Sequence, residues 1–173
     1  MAKPTTQTVQ HELLLRLLDE GYDKTGWMGV SLRSAIRQVS AQEAAWRPRP
    51  GRRSIAEIVL HSAYWKYITA RRITGGKRGS FPLAGSNWFA APRKLSDTQW
   101  KRHVTILADA HQALRKAIAA APWSKLTSKN KRSGVPMSVI TGLAMHDAYH
   151  TVQIKTIRAL YKQATVGRKR TAK

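Results

Sequence analysis

The chain has 173 residues, enough for one domain with a single sizeable core and short for two. It contains no cysteine, which excludes disulfides, thiolate nucleophiles and thiolate metal ligands, so any metal must use imidazole, carboxylate or backbone oxygen. Its 31 Lys and Arg against 9 Asp and Glu give a formal charge of +22, a field that attracts polyanions. No run approaches the ~18–20 apolar residues of a membrane span. The opening "MAKPTTQTVQHELL" lacks the apolar stretch of a secretory signal. A cytoplasmic, bacterial-type enzyme or binding protein is the expectation.

In chain order, a first helical segment is predicted from about Thr6 to Leu18, with an apolar stripe at Val9, Leu13 and Leu17. "GYDKTGWMG" interrupts it, and a second helical piece runs from about Ser31 to Ala45. "RPRPGRR" is a turn, because its prolines cannot continue a helix. Ser54 with Glu57 forms a capping box and opens a helix that Gly75 and Gly76 end after about Thr74. The stretch from Gly75 to Leu95 shows no period. Ser96 with Gln99 caps a third helix, to about Ala121. After a basic loop, Pro136 fits the first turn of a last helix reaching about Lys162. "QATVGRKRTAK" beyond it has no apolar period. The expectation is therefore a single all-α domain over residues 1–162 and a basic, disordered tail over 163–173.

Four amphipathic segments, the first of them broken, bury their stripes most simply as a four-helix bundle. The connection between helices two and three is too long for a hairpin and long enough to cross the bundle from end to end.

Three histidines fall on apolar stripes. In the last helix the stripe reads Val139, Leu143, His146, His150, Ile154 or Gln153, Ile157 and Tyr161. In the second helix it reads Ile58, His61, Trp65 and Ile68. His146 and His150 stand one turn apart, a spacing that can chelate one ion. Three inward imidazoles with an open fourth position are an arrangement used by catalytic zinc, and three buried ionisable rings without a shared task are costly. His103 and His111 lie on the third helix, eight residues apart, about 12 Å along the axis, so both cannot hold one ion. They read as core histidines with partners, and His11 as a surface residue.

After Glu57 only Asp97, Asp109 and Asp147 are acidic. Asp97 suits a helix N-terminus and Asp109 faces solvent. Asp147 flanks the stripe, where it is a candidate to orient a ligating ring or to act as general base; the alternative is a surface ion pair. "HDAYH" echoes the HExxH protease helix, with a shorter carboxylate and no glycine-spaced downstream histidine, which argues against a protease.

The phrases "GWMGVSLRSAIRQVSAQEAAWRP", "SIAEIVLHSAYWKY" and "GLAMHDAYHTVQI" resemble the DinB/YfiT-like superfamily of metalloenzymes, across most of residues 7–162. The resemblance implies a four-helix bundle with a crossover connection. It also implies a divalent metal ion, zinc or nickel, held by His61, His146 and His150. Relatives include transferases and isomerases that use low-molecular-weight thiols; with no cysteine in the chain, such a thiol is a cosubstrate. The resemblance also admits a homodimer. Trp65, Trp88, Phe89 and Tyr149 are candidate pocket residues, equally compatible with core positions.

Two function classes follow. One is a metal-dependent transferase, isomerase or hydrolase acting on a small molecule at the three-histidine site. The other is a basic nucleic-acid-binding bundle whose histidines are structural. Only weak, sequence-independent polyanion binding is expected, because no element is built to read base edges. A bundle that binds metal for stability alone is a third option.

Overall fold

Polar caps fix where the helices start. The Ser54 hydroxyl accepts the Glu57 backbone N–H while the Glu57 carboxylate accepts the Ser54 N–H, and Ser96 with Gln99 repeats the exchange. Helix α4 accordingly spans Ile55–Thr74 and α5 spans Asp97–Ala120. Gly75 ends α4 in the left-handed region, at φ 73°, a conformation that favours glycine. The computed structural model describes residues 6–128 and 135–171. Lys129, Lys131 and Arg132 of the basic loop and Lys173 of the tail lie outside the described residues, as do the side chains of Arg168, Lys169 and Arg170.

The remaining helices are α1 Thr6–Tyr22, α2 Leu32–Ile36, α3 Ala41–Ala45, α6 Trp123–Leu126 and α7 Met137–Thr171. The protein is all-α, with no strand among the described residues. No described helix is long and apolar enough to cross a membrane.

Four long helices close a ring: α4 packs on α5 and α7, and α1 packs on α7 and α5. Contacts along α1 and α5 run in opposite order, with His11 bonded to Ala121 O and Asp19 to Arg115. The segment between α4 and α5 retraces α4. Ser80 meets Tyr67, Phe81 meets Tyr64 and Tyr67, Asn87 meets His61, and Ala91 O accepts from Arg47. One half of the core gathers Leu32, Ile58, Leu107 and Ile154, and the other Leu18, Ile73, Leu114 and Ile140.

Several details differ from the sequence expectation. Helix α1 continues to Tyr22 and buries Leu14, Leu18 and Tyr22, while Val9, Leu13 and Leu17 are 50%, 58% and 38% exposed. Leucines at 13–14 and 17–18 make two stripes equally apolar, and packing selects the one that brings Gly21 against Ala144. The piece from Ser31 to Ala45 is two short helices, because Ser40 caps its own helix and Gln38 takes φ 61°. The last helix does not end near Lys162. It runs on to Thr171 through the segment expected to be disordered, which has no proline and is rich in strong helix formers. His11 is not a free surface residue: it bonds to Ala121 O and packs against Trp123.

Candidate metal centre

α4 and α7 carry three imidazoles to one point. His61 Nε2 lies 3.0 Å from His146 Nε2, and His150 Nε2 lies 3.0 Å from the same atom. His61 and His150 are buried and His146 is half-buried. All three ligand atoms lie within 4.8 Å of one another.

The outer nitrogens fix the tautomers. His61 Nδ1 is 2.9 Å from the Asn87 carbonyl oxygen, which can only accept, so this nitrogen carries the proton. Gln153 donates its Nε2–H to the Tyr149 hydroxyl, leaving its Oε1 to accept from His150 Nδ1 at 2.7 Å. Both Nε2 atoms then present bare lone pairs to His146 Nε2, and one N–H there can point at only one of them. His146 Nδ1 is buried without a hydrogen-bond partner among the described residues. A cation at the centre satisfies all three lone pairs at once. Ligand nitrogens about 2.1 Å from one ion sit about 3.0 to 3.4 Å apart at octahedral or tetrahedral angles, which fits the observed spacing.

Electrostatics keep the rings neutral, as ligation requires. Burial pushes His146 down to about 3, with His150, His61 and Lys66 adding to the effect. Burial takes His150 to about 4, against the Gln153 hydrogen bond. Burial also lowers His61, opposed by the Asn87 hydrogen bond and reinforced by Arg53.

Asp147 is not at the surface. It is fully buried in the α7 stripe between Leu143 and His150 and forms an ion pair with Lys66, itself fully buried. No hydrogen bond links its carboxylate to the three rings among the described residues. Burial raises its pKa, opposed by Lys66. The groups that orient the rings are instead Asn87 and Gln153. Asn87 sits in the loop at φ 62°, and a backbone carbonyl leaves no mark in a sequence. Gln153 follows His150 by one helical turn, a spacing that could have signalled the contact.

The four aromatic candidates separate. Trp88 stacks on His61 with centroids 3.8 Å apart and planes 5° apart. Tyr149 is 61% exposed and meets the edge of His150. These two line a groove over the triad. Trp65 does not: its Nε1–H donates to Asn87 Oδ1, bracing the residue that orients His61. Phe89 is a core residue, packed on Tyr64 and Phe81.

The other histidines serve the interior. His111 stacks on Tyr22 and lies 3.3 Å from Asp19, which also takes Arg115 at 2.6 Å. Asp23 stands near enough to complete a ligand-like group with them, but Arg115 already occupies the Asp19 carboxylate. His103 is half-buried and its pKa is lowered by burial and by Arg102.

A helical bundle with three inward histidines on two facing helices belongs with metal-associated proteins. The sequence model of the DinB superfamily matches residues 27–154, and the chain belongs to that superfamily. No curated protein and no solved structure matches it.

Proposed function

We propose that the protein is a metal-dependent enzyme whose divalent ion, zinc or nickel, is held by His61, His146 and His150. The observation that carries this reading is the convergence of three Nε2 atoms whose lone pairs cannot satisfy one another. Imidazole ligands favour zinc, nickel, copper or iron over magnesium and calcium. A divalent ion there supplies a Lewis acid that polarises an oxygen or sulfur ligand and lowers its pKa.

The chain's own residues do the rest. Asn87 and Gln153 hold the proton on the outer nitrogens of His61 and His150, so the inner ones stay available. Trp88 fixes the plane of His61, and the buried Lys66–Asp147 pair ties α4 to α7 near the ligands. The reaction is a transfer, isomerisation or hydrolysis of a small molecule reaching the open side of the triad. With no cysteine in the chain, a low-molecular-weight thiol is the candidate cosubstrate for any thiolate step. The exposed stripe of Val9, Leu13 and Leu17 on α1 supports association with a second copy.

Metal-free protein titrated with zinc or nickel is expected to bind one equivalent per chain. His150→Ala should lose that binding while keeping its helical circular dichroism, because packing rather than the ion holds the bundle. Wild-type protein that takes up neither metal at micromolar concentration, or a variant that binds as well as wild type, overturns the reading.

A further inference from the structure

A groove of about 590 Å³ opens beside His150, the member of the triad in its lining. His150, Tyr149 and Gln153 line it from α7, Trp88 from the loop before α5, and the turn from Pro48 to Arg53 forms a wall. Three arginines, Arg49, Arg52 and Arg53, line it, and no carboxylate does.

Two of these arginines, Arg49 and Arg52, are outside the ion pairs that hold five others. Arg16, Arg33, Arg47, Arg115 and Arg158 each face an acid. Arg53 is partly engaged, with its guanidinium 4.5 Å from the Trp88 ring centre and 3.7 Å from Glu57, which Arg47 holds more closely at 3.0 Å. The side chains of Arg49 and Arg52 are exposed and form no hydrogen bond or ion pair with described residues. Trp88 is already stacked on His61 and covered by Arg53, so the two unpaired guanidiniums make a fork for an oxyanion next to a shelf formed by the exposed apolar side chains of α7. Ile58, Val152 and Leu160 extend the apolar side.

We propose that this groove binds small organic anions, with a carboxylate or phosphate held by Arg49 and Arg52 and an apolar body laid against the exposed Tyr149, Val152 and Leu160. The proposal rests on the reading of the triad as the functional site and names the substrate class for it. An anion seated there has its apolar end beside His150, so the groove sets which part of the molecule reaches the ligands. The net charge alone gives no such placement, since a field spread over the whole surface has no preferred orientation for a small ion.

The test is calorimetric titration of the protein with 2-naphthoate, 2-naphthyl phosphate and the neutral 2-naphthamide, each on chelator-treated and on zinc-treated protein. At least one anion should bind about ten-fold more tightly than the amide, a factor that one charge-assisted bidentate contact can supply. The two anions separate carboxylate from phosphate recognition. Arg49→Ala/Arg52→Ala should remove the preference and leave amide binding unchanged. That variant still carries most of the excess charge, so a general field effect would persist in it. The preference must appear in chelator-treated protein, where a metal cannot supply it, so failure of metal uptake leaves this outcome readable. Equal binding of all three probes, a preference that survives the double substitution, or no binding at about millimolar concentration overturns the proposal.

Discussion

Lys66 and Asp147 are the two charged residues most fully withdrawn from water among the described residues. Both are fully buried, and Asp147 Oδ1 has no hydrogen-bond partner among the described residues, while Oδ2 makes the ion pair. Taking two charges out of water is expensive, and their attraction repays it only while both are present. Lys66→Met leaves a buried carboxylate unpaired and should destabilise the protein by about 3–5 kcal/mol in urea unfolding. Adding Asp147→Leu should restore much of that loss, because a well-packed apolar pair is about as stable as a buried ion pair. A single-variant loss below about 1 kcal/mol, the range of exposed pairs, would show that water reaches the carboxylate. Lys66 is a lysine inside the apolar run "IVLHSAYWKYITA", and Asp147 is one of three acids beyond Glu57. The pair was therefore visible as two anomalies, but only the α4–α7 register joins them. That register also places Asp147 at the centre of the stripe and His146 at its flank, the reverse of the order the spacing suggested.

Among the elements, α1 and α7 approach closely at Gly21. A Cβ at Gly21 would lie 3.0 Å from Ala144 O and 3.3 Å from Ala144 Cα. These are backbone atoms that cannot rotate aside. Gly21→Val should cost roughly 1–3 kcal/mol through forced separation of the helices. Gly142, within α7, has nothing within 4 Å of its Cβ position, so Gly142→Ala should stabilise by about 0.5–1 kcal/mol. Thermal or denaturant melts of the two variants should move in opposite directions, and a neutral Gly21→Val would contradict the packing. Helix starts at Ser54 and Ser96 were legible because a capping box is a local signal written in side chains. The face of α1 was not, since adjacent leucines satisfy two stripes and only the partner helix chooses between them. The short helix α6 and the run of α7 to Thr171 also lay beyond what apolar period can show.

Over the whole molecule, the acids lie away from the groove beside His150. Asp19, Glu20, Asp23, Glu43, Glu57 and Asp147 each face a basic partner, and Glu12, Asp97 and Asp109 line other pockets, so no acid lines the groove to compensate Arg49 and Arg52. Helical period gives the all-α class and puts His61, His146 and His150 on apolar stripes, while their meeting at one site was implied by the family resemblance. Orientation of the rings follows from neither, because Asn87 acts through a carbonyl in a loop without period. The central claim is that the three rings hold one ion together. X-ray absorption at the metal edge of zinc- or nickel-loaded protein tests it directly, since imidazole scattering differs from that of oxygen ligands. Three imidazole nitrogens are expected at about 2.0–2.1 Å from one ion per chain, and the bound-metal signal should be lost from the His150→Ala variant. A shell of oxygen atoms alone, or an imidazole count unchanged by that substitution, would contradict it.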